Sequence, residues 1–322
     1  MTAATVGPDT RRPGFRHEVR LYAGDAEFVG ATLDFVRNGV RAAEPVLVAV
    51  APAKIEALRA VLGDEAALVQ FVDMGTMGRN PNTIIPVWRD FVDSYGAGGQ
   101  AVRGLGEPVW SALRPAGLAE FQHHEALLNL AFSDDPDFFL LCPYDTLALP
   151  PAVIDQALAR HPFVDSRPER IGAEYALEGC LNAAFTEPLP LPPTQGPRSL
   201  GFTPGDLQTV RAFVRSEAEA LGLPPTRTDD LVLAVDEAAA NSIRHARGEG
   251  TVRVWAEDGH VVCEVADDGR IRDPLVGRRR PEPAPRDSRG IWLINHMCDL
   301  VQIRSTASGT VLRLHVALPG PD

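Results

Sequence analysis

Lysine is almost missing from this 322-residue sequence: Lys54 is the one lysine among 31 basic residues, and the rest are arginine. It stands in Ala51-Pro52-Ala53-Lys54-Ile55, and no G-x-x-x-x-G-K-[ST] stretch occurs, which excludes a P-loop ATPase. Cysteine is scarce as well. Cys142, Cys180, Cys263 and Cys298 stand far apart with no C-x-x-C pair. Neither a disulfide framework nor a zinc motif is legible, and reduced thiols in a cytoplasm are the expectation. No apolar run approaches the ~18 residues of a membrane-spanning helix. Residues 1–13 are polar and lack the apolar stretch of a secretory signal. Basic residues are outnumbered: 43 acids leave a net charge of −12, which argues against direct nucleic-acid binding and against coating an anionic membrane. No internal repeat is present.

Proline, by contrast, is abundant, with 28 residues. Five of them fall in Pro188-Leu189-Pro190-Leu191-Pro192-Pro193-Thr194-Gln195-Gly196-Pro197, a stretch that sustains neither a helix nor a central strand and stiffens an extended connector. The expected organisation is a domain over 1–187, a linker over 188–198 and a second domain over 199–322, in keeping with roughly 150 residues per domain. The first 187 residues carry 25 acids and 15 bases, the remainder 18 and 16.

The first domain alternates strand and helix patterns. Strands are expected at His17–Tyr22, Pro45–Val50, Leu68–Val72, Ala101–Leu105 and Phe138–Cys142. Helices are expected at Ala26–Arg41, Ala53–Leu62, Asn82–Ser94, Pro115–Ala131 and Pro151–Arg160, with a further one over 168–185. Continuous apolar runs such as Val46-Leu47-Val48-Ala49-Val50 mark strands covered on both faces. Repeated βα units of this length imply a parallel sheet with helices on both sides. The second domain reads differently: a helix from Thr203 to Gly222 with Thr203 as cap, a helix over Thr228–Ala246, strands at Thr251–Glu257 and His260–Ala266 around Asp258-Gly259, an Arg/Pro loop, a short helix at Gly290–Met297, and strands at Leu300–Ser305 and Thr310–Leu318. That order describes an α+β two-layer sandwich with its own sheet.

Chemistry concentrates in the second domain. Glu237 and Asn241, four apart, share one face of the second helix, and His245 extends the row. A carboxylate beside an amide oxygen suits a hard divalent cation whose shell is completed by phosphate oxygens. Asp267-Asp268-Gly269 follows a strand, Gly290 opens a helix where backbone N–H groups can reach a phosphate, and Gly309-Thr310 precedes the last strand. Taken singly, each of these elements is commonplace on helices and turns; their joint order and placement are not.

With these motifs the segment 199–318 resembles the GHKL (Bergerat) ATPase family, and within it the serine-kinase branch that includes anti-sigma factors. The resemblance implies ATP and Mg²⁺ as cofactors, Glu237 as general base, Asn241 as Mg²⁺ ligand, and Asp267 and Gly269 as the adenine-binding turn. It further implies Gly290 as the remnant of a glycine-rich phosphate motif and Gly309 with Thr310 as support for the adenine pocket. Ile271 stands where the family has the second glycine of D-x-G-x-G. Arg278-Arg279-Arg280 falls where the family has a mobile lid.

In the first domain, Arg103-Gly104-Leu105-Gly106-Glu107 and Leu141-Cys142-Pro143-Tyr144-Asp145 end strands, where ligands of parallel sheets collect. Glu107, Cys142 and Tyr144 are either a small-molecule sensor pocket or strand-end residues that fix turns. With His17, Tyr22, Glu125, Asn129 and His161-Pro162, residues 15–165 resemble the MEDS sensory domain, which implies a RecA-like α/β fold. His123-His124 beside Glu125 reads as a solvated or satisfied pair, since no second ligand cluster lies within sequence reach.

Together the resemblances imply a cytoplasmic signalling regulator. Its sensor would control an ATP-dependent serine protein kinase acting on a sigma factor or a STAS-domain anti-sigma antagonist, with a homodimer left open. Two alternatives stand beside it: a sensor histidine kinase with His124 as acceptor, and a nucleotide-gated binding module that transfers no phosphate.

Overall fold

In the computed structural model the described residues are 14–96, 99–110, 113–134, 137–165, 179, 185–194, 196–281 and 289–320. Strands β1 (Arg16–Tyr22), β2 (Val46–Val50), β3 (Val69–Asp73), β4 (Val102–Gly106), β5 (Phe138–Asp145) and β6 (Phe163–Val164) form one parallel sheet in the order β3-β2-β4-β5-β1-β6. Every residue of β2 is buried, as its unbroken apolar run requires of a strand covered on both sides. Helices α1 (Asp25–Arg41) and α2 (Pro52–Leu62) cover one face, packing Phe28, Val36 and Leu58 on Val48 and Leu105. After the single turn α3 (Met74–Met77), helices α4 (Ile84–Gly96), α5 (Pro115–Ala131) and α6 (Pro151–Arg160) cover the other. The glycines of Arg103-Gly104-Leu105-Gly106 belong to this packing. A Cβ on Gly104 would lie 2.8 Å from the Trp88 ring and 2.9 Å from Leu140, and one on Gly106 2.9 Å from Trp88. The indole of α4 therefore lies against β4 only because both positions lack side chains.

The second sheet is antiparallel, in the order β10-β11-β9-β8-β7. Its strands are β7 (Arg198–Phe202), β8 (Gly250–Glu257), β9 (His260–Asp267), β10 (Leu300–Thr306) and β11 (Gly309–Ala317). Asp258 and Gly259 turn β8 into β9 with φ of 48° and 72°, the positive pair that a two-residue hairpin loop demands. Helices α7 (Leu207–Ala220), α8 (Pro225–His245) and α9 (Arg289–Met297) lie on one face, burying Val210, Leu231, Val235 and Ile294 against Val252, Cys263, Ile303 and Leu314. The chain thus holds an α/β domain with a parallel sheet and an α+β domain of the GHKL type. Among the described residues, no helix is long and apolar enough to cross a membrane, and Cys142, Cys263 and Cys298 are free thiols.

Two local expectations change. The helix expected at Thr203 starts at Leu207, because the Asp206 carboxylate accepts both the Thr203 N–H and its hydroxyl at 2.8 Å and holds 203–206 as a turn. The end of the linker stretch, from Arg198, is strand β7, paired with β8. The helix expected over 168–185 falls on residues that lie, for the most part, outside the described ones.

The second face of the antiparallel sheet is polar, yet buried except toward its β8 side, where the Arg253 side chain is 43% exposed. Arg253, Glu264, Arg313 and Gln302 stand side by side across β8, β9, β11 and β10, and Glu264 accepts from Arg313 at 2.6 Å and from Arg253 at 3.0 Å. The N-terminal domain and the linker lie over this face. Arg304 donates to Glu120 on α5 at 2.6 Å and to the Glu187 carbonyl at 2.9 Å, and Arg313 donates to the Pro190 carbonyl at 2.9 Å. Asn82 donates to the Asn295 side chain at 3.1 Å and to the Val301 carbonyl at 2.8 Å.

Candidate nucleotide site and sensor core

Helix α8 carries Glu237 and Asn241 one turn apart on the face that meets the start of α9. Gly290 sits directly against them. A Cβ there would lie 2.9 Å from Asn241 Nδ2 and 3.2 Å from Glu237 Oε2. The missing side chain leaves a cradle in which a carboxylate, an amide and a helix N-terminus converge, a donor set that suits a phosphate-bound hard cation. Arg244 donates to Asn241 Oδ1 at 2.9 Å. His245, at the end of the row, is exposed.

The residues that the resemblance assigns to the adenine pocket meet in a second cluster. Asp267 Oδ2 accepts from the Ser242 hydroxyl at 2.5 Å, and Oδ1 accepts from the Gly269 N–H at 2.7 Å. Thr310 is buried; its hydroxyl donates to the Gly269 carbonyl at 2.9 Å and lies 2.9 Å from the Ser305 hydroxyl, which accepts the Ile271 N–H at 2.9 Å. Gly309, with φ of 136°, packs on the Asp267 carbonyl so closely that any Cβ would overlap it. The two clusters join through α8, where Asn241 and Ser242 are neighbours. Ser242 and Ser305 were not singled out from the sequence; a serine beside E-x-x-x-N carries no signal until β9 is folded against the helix.

Two of the arginines of 278–280, Arg278 and Arg280, face the sensor domain, while Arg279 lies 3.8 Å from Asp273. Leu275 is part of the N-terminal domain's core. Arg278 is buried, donates to the Pro274 carbonyl at 3.1 Å, and is lowered to about 10 by burial against the opposing pull of Glu120. Arg280 pairs with Asp90 on α4 at 2.6 Å. The Gly277 carbonyl accepts from Asn295, which itself accepts from Asn82. Leu275 and Arg280 thus tie this segment to the sensor, while Gly277 packs on Ile291 and Asn295 of α9.

In the sensor, Glu107, Cys142 and Tyr144 do not share one pocket. Glu107 is buried on the α1/α2 side, accepting from Tyr22 at 2.5 Å and from Lys54 at 2.7 Å. This is the role of the lone lysine. Burial raises the Glu107 carboxyl while Lys54 draws it down. Cys142 and Tyr144 point to the opposite face, among α4–α6. There Cys142 Sγ lies 3.3 Å from His17 Nε2, and the Tyr144 ring packs edge-on to His161. Glu125 lies against His17 and His161, at 3.1 Å and 3.2 Å, and acts on His124 through its charge alone. His123 and His124 are buried rather than solvated, and His123 lies 3.7 Å from Glu120.

Replacing Gly290 with Ala is expected to weaken Mg-ATP binding by about tenfold, roughly 1.4 kcal/mol, because the new methyl displaces the Asn241 amide. The nucleotide-free protein should hold its stability, since Ala is favoured over Gly in a helix by about 1 kcal/mol. Titration calorimetry paired with thermal melting of the apo protein reads both effects.

Residues 16–162 match the family model of MEDS, the MEthanogen/methylotroph, DcmR Sensory domain, and residues 200–316 match that of a histidine kinase-like ATPase domain. Among solved structures, the chain is similar to the RsbU and RsbW domains of a Mycobacterium tuberculosis protein. The identity is 22% and the TM-score 0.30, over 38% of this chain and 33% of that one. The chain thus spans about a third of that protein's solved length. No curated protein matches the chain.

Proposed function

Because the chain joins a MEDS sensory domain to a histidine kinase-like ATPase domain, we propose that it is a cytoplasmic regulator of the anti-sigma factor kinase type. In this reading the ATPase domain binds Mg-ATP and phosphorylates a serine on a STAS-domain antagonist, or sequesters a sigma factor. The observation that carries it is the convergence of Glu237, Asn241 and Gly290 beside the Asp267–Ser242–Thr310 cluster. Bound Mg-ATP would supply the phosphoryl group and the charge that neutralises it. Asn241 would hold the cation through its amide oxygen, and the α9 N-terminus would orient phosphate oxygens. Asp267, anchored by Ser242, would receive the adenine amino group. Glu237, part-exposed at the rim, would take the proton of the partner's serine hydroxyl.

The buried position of His124 on α5 favours this reading over a histidine kinase, because an acceptor imidazole must reach the γ-phosphate. The contacts of Leu275, Arg278 and Arg280 with the sensor suggest how the input reaches the output. A ligand that shifts the sensor's docking also shifts the lid, and ATP then changes that ligand's affinity by the same factor.

The test uses the full-length protein. Mg-ATP binding is measured by calorimetry, and labelled ATP is then incubated with partners captured from the native cell. Acid-stable phosphoserine on a partner supports the kinase. Acid-labile phosphate on the chain itself would replace it with the histidine kinase. Binding without transfer leaves the sequestering module, and no binding at millimolar ATP removes the nucleotide reading.

A further inference from the structure

Four ligand-bearing side chains meet in the middle of the sensor domain: His17 from β1, Glu125 from α5, Cys142 from β5 and His161 from the residue that closes α6. All four are buried, and their ligand atoms lie within 4.8 Å of one another. His17 Nε2 is 3.1 Å from Glu125 Oε2 and 3.3 Å from Cys142 Sγ; His161 Nε2 is 3.2 Å from the same carboxylate oxygen. A tetrahedral zinc ion with bonds of about 2.0–2.3 Å sets its ligands about 3.3–3.8 Å apart, so small side-chain movements seat an ion among these four.

The surrounding hydrogen bonds decide which atoms face the centre. Asn129 Nδ2 donates to the Arg160 carbonyl at 2.8 Å and to the Glu125 carbonyl at 3.2 Å. Its amide oxygen is therefore the atom turned to His17 Nδ1, at 3.2 Å. An amide oxygen only accepts, so His17 Nδ1 carries the proton and Nε2 presents a lone pair. His161 Nδ1 is 2.8 Å from the Ala157 carbonyl, which fixes the same tautomer. Two imidazole lone pairs and a carboxylate thus point at one another, and Glu125 Oε2 and His161 Nε2 are left without a hydrogen-bond partner. Buried acceptors in that state cost roughly 1–3 kcal/mol each. One proton would bridge a single pair of these atoms, whereas a divalent cation engages all four. Outer hydrogen bonds of this kind, from a carbonyl or amide to the far nitrogen of a histidine, are what orient metal-ligating imidazoles.

We propose that His17, Glu125, Cys142 and His161 bind one divalent transition-metal ion, zinc by the character of the donors, in the core of the sensor domain. Two imidazoles, one carboxylate and one thiolate make the borderline-soft four-coordinate set that zinc prefers over magnesium or calcium. Binding releases the Cys142 thiol proton to solvent and moves no electrons. Glu125 and Cys142 also line a small cavity walled by Met74, Ile84, Trp88 and Leu128, so the site has an apolar wall on one side. The site ties together β1, β5, α5 and α6, and α5 is the helix that carries Glu120 to the ATPase domain.

The experiment uses the full-length chain, freed of any purification tag and prepared without nucleotide. Elemental analysis is expected to find about one zinc per chain. After chelation, cobalt(II) should bind with visible absorption and a thiolate-to-metal charge-transfer band. Cys142→Ser should abolish that band, and Asn129→Ala, which leaves all four ligands in place, should weaken zinc binding by about 10–100-fold. If Cys142→Ser fails to fold, the wild-type stoichiometry and the cobalt spectrum still decide. Wild-type protein that carries no zinc and takes up no cobalt under reducing conditions overturns the proposal. So does bound cobalt without thiolate charge transfer, which would place the ion elsewhere.

Discussion

Glu237→Ala protein should bind Mg-ATP yet transfer phosphate to a partner serine about 10²–10⁴-fold more slowly, the usual worth of a positioned general base. The geometry separates the two functions. Glu237 Oε2 and Asn241 Nδ2 both face Gly290, but they offer different chemistry. In the proposed reading the Asn241 amide oxygen would be a neutral ligand for a cation that already carries phosphate, so Asn241→Ala should lose binding and transfer together. The Glu237 side chain is one-third exposed, at 33%, and so is open to a hydroxyl arriving from another protein. Calorimetry gives the binding term, and single-turnover transfer gives the chemical one. Equal loss of Mg-ATP binding in the two variants would make Glu237 a structural residue.

Arg304→Ala should destabilise the full chain by about 3–5 kcal/mol, the cost of leaving one member of a buried ion pair alone. Its partner Glu120 is 1% exposed and Arg304 7%, so water cannot replace the lost guanidinium. Burial works to raise the Glu120 carboxyl, but His123 and Arg304 outweigh it and hold it down to about 2, against an ordinary value of 4.5. The stability this group contributes is therefore complete above pH 4.5 and is lost as pH falls from there toward 2. In Arg304→Ala the carboxyl titrates at a higher pH, and acid unfolding should begin earlier. Exchanging both residues together, Glu120→Leu with Arg304→Met, should recover part of the loss, because neither member of that ion pair is left alone, while buried Arg278 still loses the pull of Glu120. Urea unfolding at pH 7 and an acid titration measure both effects. Since the Glu120 charge also acts on Arg278 in the segment proposed as a lid, the single variant should alter Mg-ATP affinity as well. An Arg304→Ala protein with unchanged stability would mean that the domains part in solution.

What the sequence determined alone is local. Val46–Val50 is apolar at every position and is buried at every position. Glu237 and Asn241 share a helix face because 3.6 residues make a turn, and Asp258-Gly259 turns a hairpin because those two residues tolerate positive φ. Each of these depends on neighbours a few residues away. The Arg103-Gly104-Leu105-Gly106 stretch was also legible, but its cause was not: the glycines admit the Trp88 ring, and nothing near them in sequence announces an indole.

Tertiary structure decided which surfaces meet. Periodicity tells which residues leave a strand on the same side; it does not tell what covers that side. Gln302, Arg304 and Arg313 are polar residues on β10 and β11, yet they are buried because the first domain and the linker lie on them. His17 lies 112 positions from Asn129 and 125 from Cys142, so no spacing rule links them, and His123-His124 drew attention only by adjacency. The parallel sheet links them instead. It sets β1 beside β5, where His17 and Cys142 leave the same face toward α5, and the end of α6 brings His161 to close the group.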